Sequence, residues 1–310
     1  MVRGAGKLGS QTWPDTWKDG AMVMVAVPPS GGAGVVLGRW AFDPVVVLAI
    51  AAAGSAYAAA LIRLRRRGVA MPRGAAVSFF GGLGVLVVAL VSPVDAYADV
   101  SFSVHMAQHL LLTLLAPPLL ALGAPVTLAL RVAPPRAARG LSAALGSRPG
   151  IFLARPVVGW VLLVGVSYAV HLSSLFDAAL RSSGVHAFEH ALWLGVALIY
   201  WWPIVGRDPS PHPVRYPVRL LSLFLLMPAM SFLAVAIYTG GAPMYATYAS
   251  LPAPWGPGAL ASQRDAAVMM WLVGNLGLVV AMLIVAGSWK RDDDARQRRL
   301  EAREDAAARA

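Results

Sequence analysis

Residues Gly184 to Gly195 read GVHAFEHALWLG. His186, Glu189 and His190 put two imidazoles and a carboxylate into just over one helical turn, ahead of a run that is otherwise apolar. A second pair, His105 and His109, stands in SVHMAQH, and His171 lies between the pairs in sequence. A spacing of four residues puts both rings of a pair on one helix face. Two such pairs and a fifth imidazole can supply ligands to one ion, and imidazole suits copper, zinc, iron and nickel. The plain alternative for any single histidine is a polar residue near a membrane interface, hydrogen-bonded to a neighbour. That alternative weakens as histidines gather on one side.

Three methionines could add soft ligands, two near the same end and Met230 in mid-span. Met106 follows His105, Met230 lies in LLMPAMSF beside Pro228, and Met270 opens the last apolar block. Thioethers favour copper, Cu(I) above all, although methionine is also a common apolar filler. Glu189 can orient a histidine from behind the metal or accept a proton. Asp177 and Asp265, with Asp95 and Asp99, add carboxylates at that end. There are no cysteines, so disulfides, thiolate metal sites and thioether-linked haem are excluded. Copper is the metal these residues favour, with zinc behind it.

These groups need elements to hold them. The chain has 310 residues, 58% of them hydrophobic and 13% charged. A soluble protein carries about a quarter charged residues. The mean hydropathy of +0.64 comes from long apolar blocks, not amphipathic stripes, which is the pattern of membrane-spanning helices of about 20 residues. The short alternating segments of a β-barrel are missing. Seven blocks are long enough: 42–63, 74–92, 101–122, 156–175, 185–204, 217–239 and 265–288. The sequence therefore predicts an all-α, polytopic membrane protein with seven transmembrane helices over 42–289. A poorly ordered extension over 1–41 precedes them, and a charged tail, read as a solvated helix, follows over 290–310. Pro117–Pro118 and Pro228 are expected to kink their spans.

Twenty of the 26 Lys and Arg residues fall in the first, third and fifth connections and the tail, and six fall on the other side. That asymmetry predicts an extracytoplasmic N-terminus and a cytoplasmic C-terminus. It also accounts for the net charge of +11 by topology, with no nucleic-acid partner; the lipid bilayer is the partner that composition requires. On this topology spans 3, 4 and 5 carry five of the six histidines to the outer side. His212 falls in a cytoplasmic loop among prolines. The outer loop Tyr238–Asp265, rich in Pro, Gly and aromatics, suits a cap over the site, a receiving surface for a partner, or an interfacial aromatic belt.

Two other chemistries compete. HAFEH fits the H-x-x-E-H pattern of inverted zinc metallopeptidases, in which two histidines bind zinc and the glutamate activates water; it leaves His105, His109 and His171 without a role. Histidines on facing helices can also be axial ligands in a haem-binding membrane electron carrier. Ion transport finds little support, because the inner halves of the spans carry few charges.

The stretches HMAQHLLLTLLAPPLLALGAPVTLALR (His105–Arg131) and HLSSLFDAALRSSGVHAFEHALWLGVALIYWWPIVGRDP (His171–Pro209), with MMWL in span 7, resemble the CtaG-type polytopic cytochrome c oxidase assembly factors. The resemblance covers roughly Phe42–Trp289. Where members often show an acidic residue before a Gln, this chain has Ser262–Gln263. The resemblance implies a multi-pass protein of the bacterial plasma membrane, needed for maturation of haem-copper oxidases, with a role in supplying copper. It implies an assembly factor or metallochaperone, not an enzyme. Its expected partners are an extracytoplasmic copper donor and a haem-copper oxidase subunit in the membrane.

Overall fold

A computed structural model describes residues 38–211, 213–250 and 258–308. Residues 1–37 of the expected extension, His212 and part of the outer loop lie outside the described residues. Among those described, every regular element is helical. Inside lipid a backbone must satisfy its own polar groups, and an open helix does so where an open strand cannot.

The first span is α1 (Pro44–Arg66). The Asp43 carboxylate accepts from the amides of Val45 and Val46 at 2.7 and 3.3 Å, with Pro44 at the first helical position. Gly68, at φ +73°, turns the chain after the helix. The second span joins α2 (Arg73–Leu90) to α3 (Pro93–Ala98) across Ser92, which caps α3. The third span is longer than the expected 101–122. It comprises α4 (Phe102–Leu110), a π-helical turn (Leu111–Leu115), α5 (Ala116–Leu122) and α6 (Pro125–Val132). Pro117 has no amide proton to give the Thr113 carbonyl four residues back. Trp201 Nε1 from the fifth span donates to that carbonyl at 2.7 Å. The proline pair thus gives a π turn whose freed acceptor is met by a neighbouring helix. Two short helices, α7 (Pro135–Leu145) and α8 (Arg148–Leu153), lie in the next connection.

The fourth span departs from the expected 156–175. Helix α9 (Pro156–His171) stops at the histidine, and the axis turns by 69° into α10 (Leu175–Arg181). Ser173 Oγ accepts from the Leu175 amide at 3.2 Å, a local bond that competes with helix continuation. The fifth and sixth spans are α11 (Ser183–Val205) and α12 (Tyr216–Tyr238). After the small α13 (Ala246–Ser250), α14 runs unbroken from Ala259 to Ala308. At 1.5 Å per residue it is about 75 Å long, so the tail is its continuation. Six helical runs are long and apolar enough to cross a membrane, and the bent α9–α10 pair makes seven if it counts as one span.

Packing is uneven. Helix α14 lies against α12 and α4, α9 against α11, and α2 against α5. One apolar core, around Phe102, Phe176, Trp193 and Tyr200, joins α4 to the helices from α9 onward. A second, around Tyr57, Phe79 and Leu120, holds α1, α2 and α5 together. Apolar side chains such as Leu48, Phe224, Leu272 and Leu283 remain exposed, as lipid-facing residues do.

The α9–α11 contact depends on one residue without a side chain. A Cβ on Gly159 would lie 2.7 Å from Tyr200 Cα and 3.1 Å from its amide nitrogen, both backbone atoms that cannot rotate away. On the same helix Gly165 faces open space. Gly159→Ala should therefore destabilise the protein by about 1–3 kcal/mol through overpacking, read as a lowered thermal midpoint in detergent. Gly165→Ala should leave the midpoint unchanged or raised; equal effects at both sites would contradict this packing.

Candidate metal centre

Helix α4 presents His105 and His109 on one face, as their spacing requires. Helix α11 presents His186, Glu189 and His190 opposite them, and α9 ends on His171 beside both. His105 Nε2 and His109 Nε2 are 2.9 Å apart. Ring centroids are 4.2 Å apart for His186 and His190, 5.4 Å for His105 and His186, and 5.9 Å for His109 and His171. Two ligand sets can each close on one ion, His105–His109–His190 and His105–His186–Glu189, with donor atoms within 4.8 Å of one another. The five histidines expected on the outer side thus form one cluster.

Burial grades the cluster. His105, His109, His171 and Glu189 are buried, whereas His186 and His190 are only partly covered. Asp99 lies at this rim, 3.8 Å from His186 Nδ1. Burial pushes the Asp99 carboxyl above its usual range, and the His186 imidazole offsets part of that rise.

Neighbouring groups fix the imidazole protons. The Tyr248 hydroxyl donates its one proton to the Ala98 carbonyl at 2.6 Å, so at His105 Nδ1, 3.1 Å away, it accepts. The His105 proton then sits on Nδ1 and its Nε2 carries a lone pair. His171 Nδ1 donates to the Ser167 carbonyl at 2.8 Å, which leaves its Nε2 with a lone pair as well. Between His105 and His109, the His109 Nε2 proton bridges two nitrogens that a cation would otherwise bridge. Trp193 Nε1 donates to Glu189 Oε1 at 3.2 Å, and the same oxygen lies 3.6 Å from His109 Nε2.

The donor set fits a metal ion on a specific observation. His109 Nδ1, His171 Nε2, His186 Nε2, His190 Nε2 and Glu189 Oε2 are buried atoms without a hydrogen-bond partner. A native protein pairs nearly all its buried polar atoms, and here five exceptions meet in one place. Next to them is a cavity of about 70 Å³, lined by His109 and His171 and by all three candidate thioethers, Met106, Met230 and Met270. It has room for an ion.

The aspartates are placed differently. Asp177 stands outside the cluster: it pairs with Arg181 at 3.3 Å and accepts from the Thr247 amide at 3.2 Å, so it tethers the outer loop. Asp265 is exposed, pointing away from the histidines, because Gln263, Ala266, Ala267 and Met270 take the inward face of α14. The described part of the outer loop closes over the site. Tyr245 donates to the His171 carbonyl at 3.1 Å, Tyr248 holds His105, and the Gln263 side chain ties the Met244 amide to the Ile237 carbonyl. Burial raises both tyrosine hydroxyls above their ordinary range, so they stay protonated. The unforeseen contributor is Phe176. The bend after His171 carries it, fully buried, to 4.8 Å from the His105 ring and 5.7 Å from that of His171.

A sequence model of the cytochrome c oxidase caa3 assembly factors (Caa3_CtaG) matches residues 55–292. The chain belongs to that family. The match takes in every cluster histidine and the three cavity methionines. Uncharacterized proteins of Mycobacterium bovis and Mycobacterium tuberculosis are each 36% identical to it over 278 residues, which is 87% of this chain and 42% of theirs. One from Mycobacterium leprae is 34% identical over 270 residues, 82% of this chain and 40% of its own. The chain thus spans about two-fifths of the length of these curated relatives. No solved structure matches it.

Proposed function

We propose that this protein helps to build a haem-copper oxidase in the bacterial plasma membrane by holding copper at the His105, His109, His186 and His190 cluster. Copper is its cargo. The observation that carries the reading is the convergence of unpartnered imidazole nitrogens from two facing helices, in a chain whose family serves oxidase assembly. An extracytoplasmic donor would deliver the ion to the rim at His186 and Asp99. The ion then leaves by ligand exchange to an oxidase subunit in the bilayer, with no turnover of substrate by the chain itself. Glu189, held by Trp193, lies beside His109 and supplies a negative charge that offsets part of the cost of burying a cation.

The asymmetry of Lys and Arg supports an extracytoplasmic N-terminus and a cytoplasmic C-terminus. That orientation puts the cluster within reach of an outer donor. The metallopeptidase reading uses only the α11 half of a site in which α4 supplies two further imidazoles.

Protein purified without chelator should carry copper, and His105→Ala and His186→Ala should each lower its copper affinity by about 10–100-fold or more, measured by elemental analysis and competition with a chromophoric chelator. Copper content unchanged in both inserted variants would refute the assignment. Because the chain has no cysteine, Ser174→Cys gives a single label site in the exposed bend. A membrane-impermeant maleimide should modify it on intact cells; protection until the cells are permeabilised would reverse the orientation.

A further inference from the structure

The cavity beside the imidazole cluster has its own chemistry. Met106 comes from α4, Met230 from α12 and Met270 from α14, and His171 closes the set from α9. Three helices from distant parts of the sequence therefore bring thioethers to a space of about 70 Å³. We propose that this cavity is a second metal station, selective for a soft monovalent ion, Cu(I), and bound by His171 Nε2 with the three thioethers. The proposal rests on copper being the cargo of the imidazole cluster.

The polar inventory of the walls supports it. Thr113 Oγ1 donates to the His109 carbonyl at 2.7 Å, Ser167 Oγ to the Leu163 carbonyl at 2.7 Å, and Trp201 Nε1 to the Thr113 carbonyl at 2.7 Å. These wall donors are committed to backbone. His171 Nδ1 is committed to Ser167, while His171 Nε2 is buried without a partner. A guest therefore meets sulfur, the His171 Nε2 lone pair and the His109 ring, whose Nδ1 is likewise buried without a partner. Thioethers select Cu(I) over zinc and over harder ions.

Charge points the same way. No carboxylate lines the cavity, and the cost of burying an ion rises with the square of its charge. A monovalent ion is tolerated where a divalent one is not. His109 belongs to both places: its Nε2 faces His105 and Glu189, and its ring also lines the cavity. Copper can pass from one station to the other by exchanging ligands around His109 without returning to water. The transfer moves Cu(I) as Cu(I) and needs no electron.

The test uses the full chain, labelled with selenomethionine, purified in detergent and loaded anaerobically with Cu(I). X-ray absorption should show a copper–selenium shell besides the copper–nitrogen shell. Met230→Leu with Met270→Leu, a nearly volume-conserving change, should remove the selenium shell and one equivalent of copper and keep the nitrogen shell. His105→Ala with His186→Ala should remove the other equivalent and most of the nitrogen shell, and keep the selenium shell with the one nitrogen of His171. Nitrogen-bound copper without a selenium shell in the unsubstituted protein overturns the second station and leaves the imidazole cluster standing. Failure to bind copper at all overturns both. Because the unsubstituted labelled protein gives the deciding signal, misfolding of a variant does not blunt the test.

Discussion

The structure turns on buried imidazole lone pairs that have nothing to bond. Within a bilayer an unsatisfied polar atom has no water to turn to, so five of them in one cluster are a standing cost. The surrounding fold preserves them. Ser167 takes the Nδ1 proton of His171, so its Nε2 stays unprotonated and unpaired, and Tyr248 takes that of His105, whose Nε2 accepts from His109. Phe176 fills the space between the rings with a side chain that cannot hydrogen-bond. A cation can meet several such lone pairs at once, which supports the proposed binding site.

The helices serve that arrangement in different ways. The bend after His171 does two jobs: it ends α9 on a ligand and folds α10 back so that Phe176 covers the cluster. Gly159 lets α9 and α11 approach at backbone distance, which brings His171 towards the α11 histidines. The π turn before Pro117, satisfied by Trp201, lets α4 and α5 form one span while tying the third span to the fifth. Asp177 and Gln263 fasten the outer loop, and that loop supplies Tyr248. Site and scaffold are therefore hard to separate: the bend, Phe176 and Tyr248 take part in the packing and set imidazoles at once.

Much of this was legible in the sequence. Apolar blocks marked the spans, and a spacing of four marked both histidine pairs. Glu189 was identifiable because it sits between two histidines. What sequence lacks is the rotation of one helix about its axis relative to the next. Asp265 shows the limit, and also a signal that was available: Gln263, Ala266, Ala267 and Met270 form a stripe at helical spacing, which turns Asp265 outward. The role of Asp177 could not be read this way, because its partner Thr247 lies 70 residues on. Phe176 was invisible for another reason. A continuous span was expected over 156–175, and only the break at Ser173–Ser174 takes Phe176 over the site.

The central claim is that histidines from α4 and α11 share one ion. Counting imidazoles on copper, by outer-shell imidazole scattering in X-ray absorption of the loaded protein, tests it most directly. Three or more imidazoles are expected on the cluster copper, as the His105–His109–His190 set allows, with one lost in His109→Ala and one lost in His190→Ala. Loaded protein in which no copper holds more than one imidazole, or a count that changes with substitutions on only one of the two helices, would contradict it.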